Sequence, residues 1–287
     1  MLVFVFVLGA IILTVLARCE SRIQLGTGIS IIIPFCCHDK KSRRYKNFEW
    51  VKKYWRAQLP GAEIIIGQDE TPDQPFSKSA AVNDGVSRSS GDVLVIIDAD
   101  GYMLSSAVLT CVRRIRHARS RNQRLWFIPY RHFFRLTEYA SDRVLQSDPC
   151  HPYIFPMPPD ACDIQNTSGS NHGHWFGAMV QIWPREAFDE VGGWDERFRG
   201  WGGEDHSAMR ACDTLYWPHK TLPGQVLHLW HPMLSATGTE SWIPWNNRVW
   251  ENQVESGAND ELNGRYYGAN GDRERMRRLV DEGRKCK

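Results

Sequence analysis

Two carboxylates stand one residue apart at the end of an apolar run, where Asp98-Ala99-Asp100 follows Val93–Ile97. The two-residue period of a strand places both side chains on the same side of the chain. Adjacent carboxylates repel each other unless a cation lies between them, and Mg²⁺ or Mn²⁺ takes carboxylate and phosphate oxygens together. The pair therefore indicates a divalent-cation site for a nucleotide diphosphate. Because Asp-Gly also suits turns, a plain strand end remains the alternative.

A second constellation is the Gly-Trp-Gly-Gly-Glu-Asp-His sequence at 200–206, which opens a predicted helix. Glycines let a backbone approach a ligand closely, and Trp201 offers a flat face for stacking. The helix dipole stabilises carboxylates such as Glu204 and Asp205 at a helix N-terminus. The same residues are also compatible with a capped turn that has no ligand.

A third constellation is His228-Leu229-Trp230-His231. Either imidazole is a candidate metal ligand, and either is equally compatible with a hydrogen-bonded histidine of the core.

The first half of the chain alternates strand and helix patterns. β-branched or apolar runs predict strands at 29–35, 63–67 and 93–97, and 3.6-residue periodicity predicts helices between and after them, with Phe48, Val51 and Trp55 on one face of the first. This alternation predicts an α/β fold with a mostly parallel central sheet flanked by helices, whose ligands lie at the carboxyl ends of the strands. No G-x-G-x-x-G or Walker A sequence occurs, which disfavours dinucleotide-binding and P-loop proteins.

The second half shows weaker patterns. We expect a strand at 125–130, a long lid or binding loop over 138–174, a strand at 175–183 and a helix that begins at Pro184 and ends at Gly192-Gly193. After the helix that begins near Glu204, the chain is expected to be irregular from Trp230 until a charged helix near 272–283.

Composition excludes several classes of protein. The chain has 287 residues with 35 Lys and Arg against 33 Asp and Glu, a net charge of +2, and 42% hydrophobic residues. This balance disfavours nucleic-acid partners and disorder, and the length is enough to bury a core without disulfides. The eight cysteines show no zinc-like spacing, so reduced thiols are expected, with Cys150 and Cys162 as the pair to check.

The N-terminus carries an uncharged apolar run from Leu2 to Ala17, followed by charged residues. About 17 residues is the lower limit for a membrane-spanning helix. We interpret residues 1–22 as a signal-anchor and 23–287 as the enzyme domain, with a nucleotide-binding half at about 28–130 and an acceptor half at about 131–287. Positive charges after the run favour a cytoplasmic domain. A misassigned start or an apolar tail that packs on the domain is the alternative.

Several motifs in order resemble the GT-A fold glycosyltransferases, in particular family 2-like enzymes, β-1,4-galactosyltransferases and polypeptide N-acetylgalactosaminyltransferases. These motifs are the strand at 31–35, the segment 63–66 with Asp69 and Asp73, Phe76 to Gly85 including Lys78 and Asn83, the D-x-D, Phe176-Gly177, 185–193 and the Trp-Gly-Gly-Glu-Asp sequence. The resemblance covers about residues 28 to 232.

The resemblance implies roles for individual residues. It implies that Asp98, Asp100 and His228 bind the metal, with Asp100 as the direct D-x-D ligand. Further residues are implied to contact the nucleotide sugar, and these are Arg44, Asp69, Lys78, Asn83, Asp98 and Trp201. Asp205 is implied to be the general base that deprotonates the acceptor hydroxyl, with Glu204 beside it binding the acceptor. Cys36, Cys37 and His38 stand where galactosyltransferases carry basic residues, so the nucleotide contacts there differ.

The expected function is a metal-dependent, inverting glycosyltransferase that moves a hexose or N-acetylhexosamine from a nucleotide sugar, UDP-linked, to a glycan or protein acceptor. Two alternatives stay open. A non-catalytic sugar or nucleotide-sugar binding protein on the same fold is one. The other is a haloacid-dehalogenase-type phosphatase, whose strand also ends in D-x-D-G but carries Thr where this chain has Tyr102.

Overall fold

The computed structural model describes residues 26–37, 39–71, 74–168, 179–200, 202–234, 240–241 and 253–285. The strands are β1 (Ile29–Pro34), β2 (Glu63–Gly67), β3 (Val93–Ile97), β4 (Gly101–Tyr102), β5 (Phe127–Ile128), β6 (His132–Leu136), β7 (Ile164–Ser168), β8 (Val180–Pro184), β9 (Lys220–Thr221), β10 (Gln225–His228), β11 (Met233–Leu234) and β12 (Glu240–Ser241). The helices are α1 (Arg43–Gln58), α2 (Lys78–Ser87), α3 (Ser105–Arg119), α4 (Glu138–Gln146), α5 (Arg185–Val191), α6 (Glu204–Leu215), α7 (Gln253–Ala269) and α8 (Arg273–Arg284).

A six-stranded sheet forms the centre of the fold, in the order β2-β1-β3-β8-β5-β9. The pairs β1–β2 and β1–β3 are parallel, as are β5 and β9, whereas β8 runs antiparallel to both β3 and β5. Every residue of β1 and β3 is buried, as expected for strands covered on both faces. The predicted α/β fold with a mostly parallel central sheet is therefore confirmed, with β8 as an antiparallel insertion from the second half of the chain.

The predicted helices of the first half are present. Ser42 caps α1 by accepting a hydrogen bond from the Tyr45 amide, and Phe48, Val51 and Trp55 are buried on one face of α1. Helix α2 packs very closely on the sheet at Gly85, where an added Cβ would lie 2.6 Å from Cγ2 of Ile32. Only a glycine lets α2 lie this close to β1 at that point.

A second sheet, in the order β4-β10-β6-β7, lies beyond the D-x-D turn. The amide of Gly101 donates to the carbonyl of Asp98, which turns the chain out of β3 and directly into β4. Gly101 of β4 then pairs with His228 of β10. The turn that carries the two aspartates therefore joins the two sheets and brings β10 beside it.

The structure corrects several predictions for the second half. The segment 138–174 is not one long loop, because it contains α4 and, after an irregular stretch, β7; residues 169–174 lie outside the described residues. The chain after Trp230 is not irregular up to the terminal helix, because α7 precedes α8. The strand expected at 125–130 is only the two residues of β5, and β6 was not predicted.

Three further predictions concern helix α5, the N-terminal segment and the thiols. Helix α5 begins after Pro184 and ends at Gly192 in a left-handed conformation, as predicted. None of the helices in the described ranges has the length and hydrophobicity needed to cross a bilayer. The signal-anchor predicted at 1–22 lies outside those ranges. Cys150 and Cys162, the pair selected for checking, are both free and exposed.

Candidate active site

A carboxylate and two imidazoles meet where the two sheets join. Asp100 lies in the turn after β3, His228 ends β10, and His231 follows three residues later. The Asp100 Oδ2 to His231 Nε2 distance is 3.1 Å, and the Asp100 Oδ1 to His228 Nε2 distance is 3.7 Å. One ligand atom from each residue lies within 4.8 Å of the other two. We call these three residues the ligand group.

The ligand group fits a divalent cation chemically. Burial lowers the pKa of His228 to about 3, so its imidazole is neutral at pH 7. Burial alone would raise the pKa of Asp100, but His228, His231 and Arg44 hold it well below its usual range. His231 Nδ1 lies 2.8 Å from the Pro232 carbonyl oxygen, and its Nε2 faces Asp100 Oδ2 at 3.1 Å. A metal-ligating histidine commonly donates its second ring N–H to a backbone carbonyl in this way. Asp100 and His228 are thus in the protonation states that metal ligation requires.

Backbone contacts hold the segment that carries His231. The amide of Leu229 donates to the Asp100 carbonyl at 2.8 Å, and the amide of Trp230 donates to the Ser141 hydroxyl at 2.8 Å. The side chain of Asn47 in α1 donates to the Trp230 carbonyl at 3.0 Å. Ser141 and Asn47 are fully buried, so these bonds are shielded from water.

A buried ion cluster lies on the other side of the D-x-D turn. Lys78 Nζ is 2.5 Å from Asp98 Oδ1, 2.8 Å from Asp205 Oδ1 and 3.8 Å from Glu204 Oε1. These four side chains are between 12% and 23% exposed. Lys78 is the first residue of α2, while Glu204 and Asp205 are the first two of α6. The N-termini of the two helices therefore face each other across one cation.

Burial dominates the protonation of this cluster. Burial raises the pKa of Asp205 to about 7; Lys78 opposes that rise and Glu204 adds to it. Asp98 behaves alike, because burial raises its pKa to about 7 against the opposing charge of Lys78. The pKa of Lys78 itself stays well above its ordinary value, since the carboxylates outweigh its burial. Asp205 is thus a carboxylate whose basicity suits proton removal near neutral pH.

Hydrogen bonds from the core fix where α6 begins. Gln181 of β8 donates to the Asp205 carbonyl at 3.0 Å and accepts from Trp183 Nε1 at 2.9 Å. Ser77 donates to the Phe198 carbonyl at 2.8 Å, and the Gly200 amide donates to the Phe76 carbonyl at 3.0 Å. These bonds join the segment before α2 to the segment before α6.

Two residues predicted to bind the nucleotide sugar have structural partners instead. The Asn83 amide donates to the Trp194 carbonyl and to Glu196 and accepts from the Trp194 amide, so it holds the turn after α5. Asp69 is 3% exposed and accepts from the Ser77 amide and from Arg199 at 2.9 Å. A ligand contact for either residue stays a prediction that competes with these bonds.

The remaining predicted residues divide into three cases. Arg44 lies close enough to the ligand group for its charge to lower the pKa of Asp100 and of His228. Asp98 is bonded to Lys78 and is not a member of the ligand group, so its role as a metal ligand stays a prediction. Trp201, His38 and Asp73 lie outside the described residues.

His231 belongs to the ligand group, although the sequence interpretation named it only as one of two candidate ligands. The available signal was its position three residues after a histidine at the end of a strand.

Part of this site lies in a segment with recognisable relatives. Residues 162–211 match the family model described as the N-terminal domain of galactosyltransferase. The matched segment includes α5 and the start of α6 with Glu204 and Asp205. The predicted resemblance to galactosyltransferases is confirmed by this match. No curated protein matches the sequence.

Three solved structures are similar over longer stretches. One is the catalytic domain of Drosophila β1,4-galactosyltransferase 7 with xylobiose, at 14% identity, TM-score 0.34, 68% of this chain and 63% of that chain. Another is a mutant of the Drosophila enzyme with manganese, UDP-Gal and xylobiose, which is 12% identical with a TM-score of 0.34. The match covers 79% of this chain and 78% of that chain. The third is GalNAc-T7 with UDP, GalNAc and Mn²⁺, which is 13% identical with a TM-score of 0.41. The match covers 89% of this chain and 54% of that chain. The chain spans less than two thirds of the first and third of these structures.

Proposed function

We propose that this protein is a divalent-metal-dependent glycosyltransferase. It moves a hexose or N-acetylhexosamine from a UDP-linked donor to a hydroxyl of a glycan or protein acceptor, with inversion at the anomeric carbon. The observation that carries the proposal is the proximity of the ligand group to the acid pair Glu204 and Asp205, since Asp98 and Lys78 connect the two. The galactosyltransferase match at 162–211 supports the same reaction class.

Each group has a distinct task in this reaction. Asp100, His228 and His231 hold the cation, which when bound stabilises the negative charge of the leaving diphosphate. Asp205 accepts the proton of the acceptor hydroxyl as that oxygen attacks the anomeric carbon. Glu204 accepts a hydrogen bond from the acceptor sugar. A single displacement of this kind places base and leaving group on opposite faces of the donor sugar, which inverts its configuration.

The first test is a screen of nucleotide sugars for donor hydrolysis and transfer, with and without Mn²⁺. We expect turnover of one UDP-sugar that requires the metal. UDP binding in Mn²⁺ without turnover of any donor would instead favour the non-catalytic binding protein. Hydrolysis of simple phosphate monoesters with no sugar transfer would favour the phosphatase.

The second test addresses the two groups separately. Asp100→Asn should abolish metal-dependent UDP binding in calorimetry, because it removes the charged ligand. Asp205→Asn should leave UDP affinity near wild type while transfer falls by roughly 10² to 10⁴. Glu204→Gln should weaken acceptor binding. Transfer by Asp205→Asn within a few-fold of wild type would remove Asp205 as the base, and a retained anomeric configuration would remove the single displacement.

We also propose that residues 1–22 attach the protein to a membrane, on the basis of the uncharged run Leu2 to Ala17. Membrane flotation of the full chain and of a chain that starts at residue 23 tests this. Flotation that does not depend on residues 1–22 would contradict it.

A further inference from the structure

Lys78 is the cation that pairs with Asp98 and with the acid pair Glu204 and Asp205. The resemblance to glycosyltransferases implies that such a lysine contacts the donor diphosphate. We propose instead that Lys78 is a positioning residue, which holds the Asp205 carboxylate in the orientation needed to take the acceptor proton. This inference rests on the proposed function and assigns a task within it.

Carboxylates already surround the Lys78 ammonium group. Of the three N–H donors of its ammonium group, two point at carboxylate oxygens of Asp98 and Asp205 at 2.5 and 2.8 Å, and Glu204 Oε1 lies at ion-pair distance, 3.8 Å. The side chain is 14% exposed, and its Nζ lies 5.8 Å from the centre of the Trp194 ring. A diphosphate that contacts this ammonium would compete with three carboxylates of its own sign. Lys78 is therefore better placed to orient carboxylates than to receive an anion.

The backbone restricts Lys78 as well. Ser77 caps α2 by accepting from the Ala80 amide, and its hydroxyl donates to the Phe198 carbonyl. A cation at the first position of a helix is unfavourable to the helix dipole. The carboxylates of the facing helix α6 offset that cost. The acids of α6 therefore stabilise Lys78 at the first position of α2, and the starts of the two helices are held together.

The Asp205 carboxylate depends on Lys78 for its orientation. Gln181 binds the backbone carbonyl of Asp205, whereas Lys78 contacts its carboxylate at 2.8 Å. Glu204 also bonds this carboxylate, and it carries the same charge when ionised. Without Lys78, mutual repulsion would turn Asp205 away from Glu204 and Asp98. A displacement of about 1 Å in a reacting group can cost about 10² in rate.

The test is a double-mutant cycle of Lys78→Met and Asp205→Asn, measured as transfer at saturating donor and as UDP affinity in Mn²⁺. We expect Lys78→Met to lower kcat by about 10²-fold with UDP affinity within a few-fold of wild type. In the Asp205→Asn background the same change should cost less than about threefold, because Lys78 acts through Asp205. Lys78→Arg should recover part of the rate. Lys52→Met, which breaks the ion pair with Glu49 elsewhere on α1, is the matched control and should leave kcat unchanged.

Two results would overturn the inference while the proposed function stands. One is a multiplicative loss, in which Lys78→Met costs the same factor with and without Asp205→Asn. The other is a large rise in the Kd for UDP with kcat preserved at saturating donor, as a diphosphate contact predicts. If Lys78→Met does not fold, the Lys78→Arg variant and the double variant, which removes one charge of each sign, still decide between these outcomes. A wild-type protein that transfers no sugar would refute the proposed function and this inference together.

Discussion

Replacement of Arg199 by methionine tests whether Asp69 is a structural residue or a nucleotide contact. Arg199 lies just before the glycine-rich segment that leads into α6, and its Nη1 is 2.9 Å from Asp69 Oδ2. Asp69 also accepts from the amides of Ser77 at 2.8 Å and Thr71 at 3.2 Å. The ion pair therefore joins the loop after β2 to the segment that positions Asp205.

The structure sets the size of the effect. Removal of one partner of a buried ion pair costs about 3–5 kcal/mol because a charge is left unpaired. Asp69 is 3% exposed, but Arg199 is 26% exposed and Asp69 keeps its backbone hydrogen bonds, so the cost lies at or somewhat below the lower end of that range. We expect Arg199→Met to cost about 2–3 kcal/mol of unfolding free energy. At roughly 2–4 °C per kcal/mol for a chain of this size, the Tm falls by about 4–12 °C.

The pH dependence has a defined sign. Burial alone would raise the pKa of Asp69, but the bonds from Ser77 and Thr71 and the charge of Arg199 lower it below its ordinary value. A group with a lowered pKa in the folded state contributes stability above its unfolded pKa, and this is lost as pH falls through the folded pKa. The difference in Tm between wild type and Arg199→Met should therefore be full at pH 7 and shrink below about pH 4.

Thermal melts across pH on Arg199→Met, Asp69→Asn and the double variant test whether Asp69 has a structural role. The double variant should be more stable than the sum of the single losses predicts, because it contains no unpaired buried charge. UDP affinity should stay within a few-fold of wild type in both single variants. A Tm loss under about 2 °C for Arg199→Met, or a loss of UDP affinity by Asp69→Asn without a loss of Tm, would refute the structural assignment.

Three further changes probe other parts of the site. Asn47→Leu removes the bond to the Trp230 carbonyl and should weaken Mn²⁺ binding by about 10–100-fold in titration calorimetry, whereas an unchanged Kd would mean that the His231 segment needs no such support. Gly203→Ala should lower stability by about 1–3 kcal/mol in denaturant melts, because φ is +90° there and the new Cβ would lie 3.0 Å from Asn263 Cβ; a neutral result would contradict that strain. His231→Ala should weaken Mn²⁺ binding more than Asn47→Leu does, and equal or smaller effects would remove His231 from the ligand group.

The first half of the fold could be predicted because its signals are local. Strands β1 and β3 are continuous apolar runs, and α1 buries Phe48, Val51 and Trp55 at helical spacing. The second half lacks such contrast. Helix α4 has only nine residues and buries small or modest side chains, Ala140, Ser141 and Val144, so its apolar signal is short, although Thr137 was an available capping signal.

Helix α7 was missed for a related reason. Its 17 residues include three glycines, and the buried apolar side chains among those whose burial is described are Leu262, Tyr266 and Ala269. Glycine is about 1 kcal/mol less favourable than alanine within a helix, so intrinsic propensity argues against this element. Packing against α6 and α8 stabilises it instead, and that packing is not visible in the local sequence.

The candidate site shows where sequence reasoning reaches its limit. Asp98 and Asp69 both follow a buried or half-buried strand of the parallel part of the sheet, so their positions in the sequence favour the same ligand-binding edge. What separates them is a partner far along the chain. Asp98 is bonded to Lys78 between the two helix N-termini, whereas Asp69 is bonded to Arg199, which is 130 residues away. Residue type and strand position thus identify the edge at which chemistry is possible. The partner of each carboxylate, which lies far along the chain, decides whether that carboxylate faces the two helix N-termini, as Asp98 does, or joins two loops, as Asp69 does.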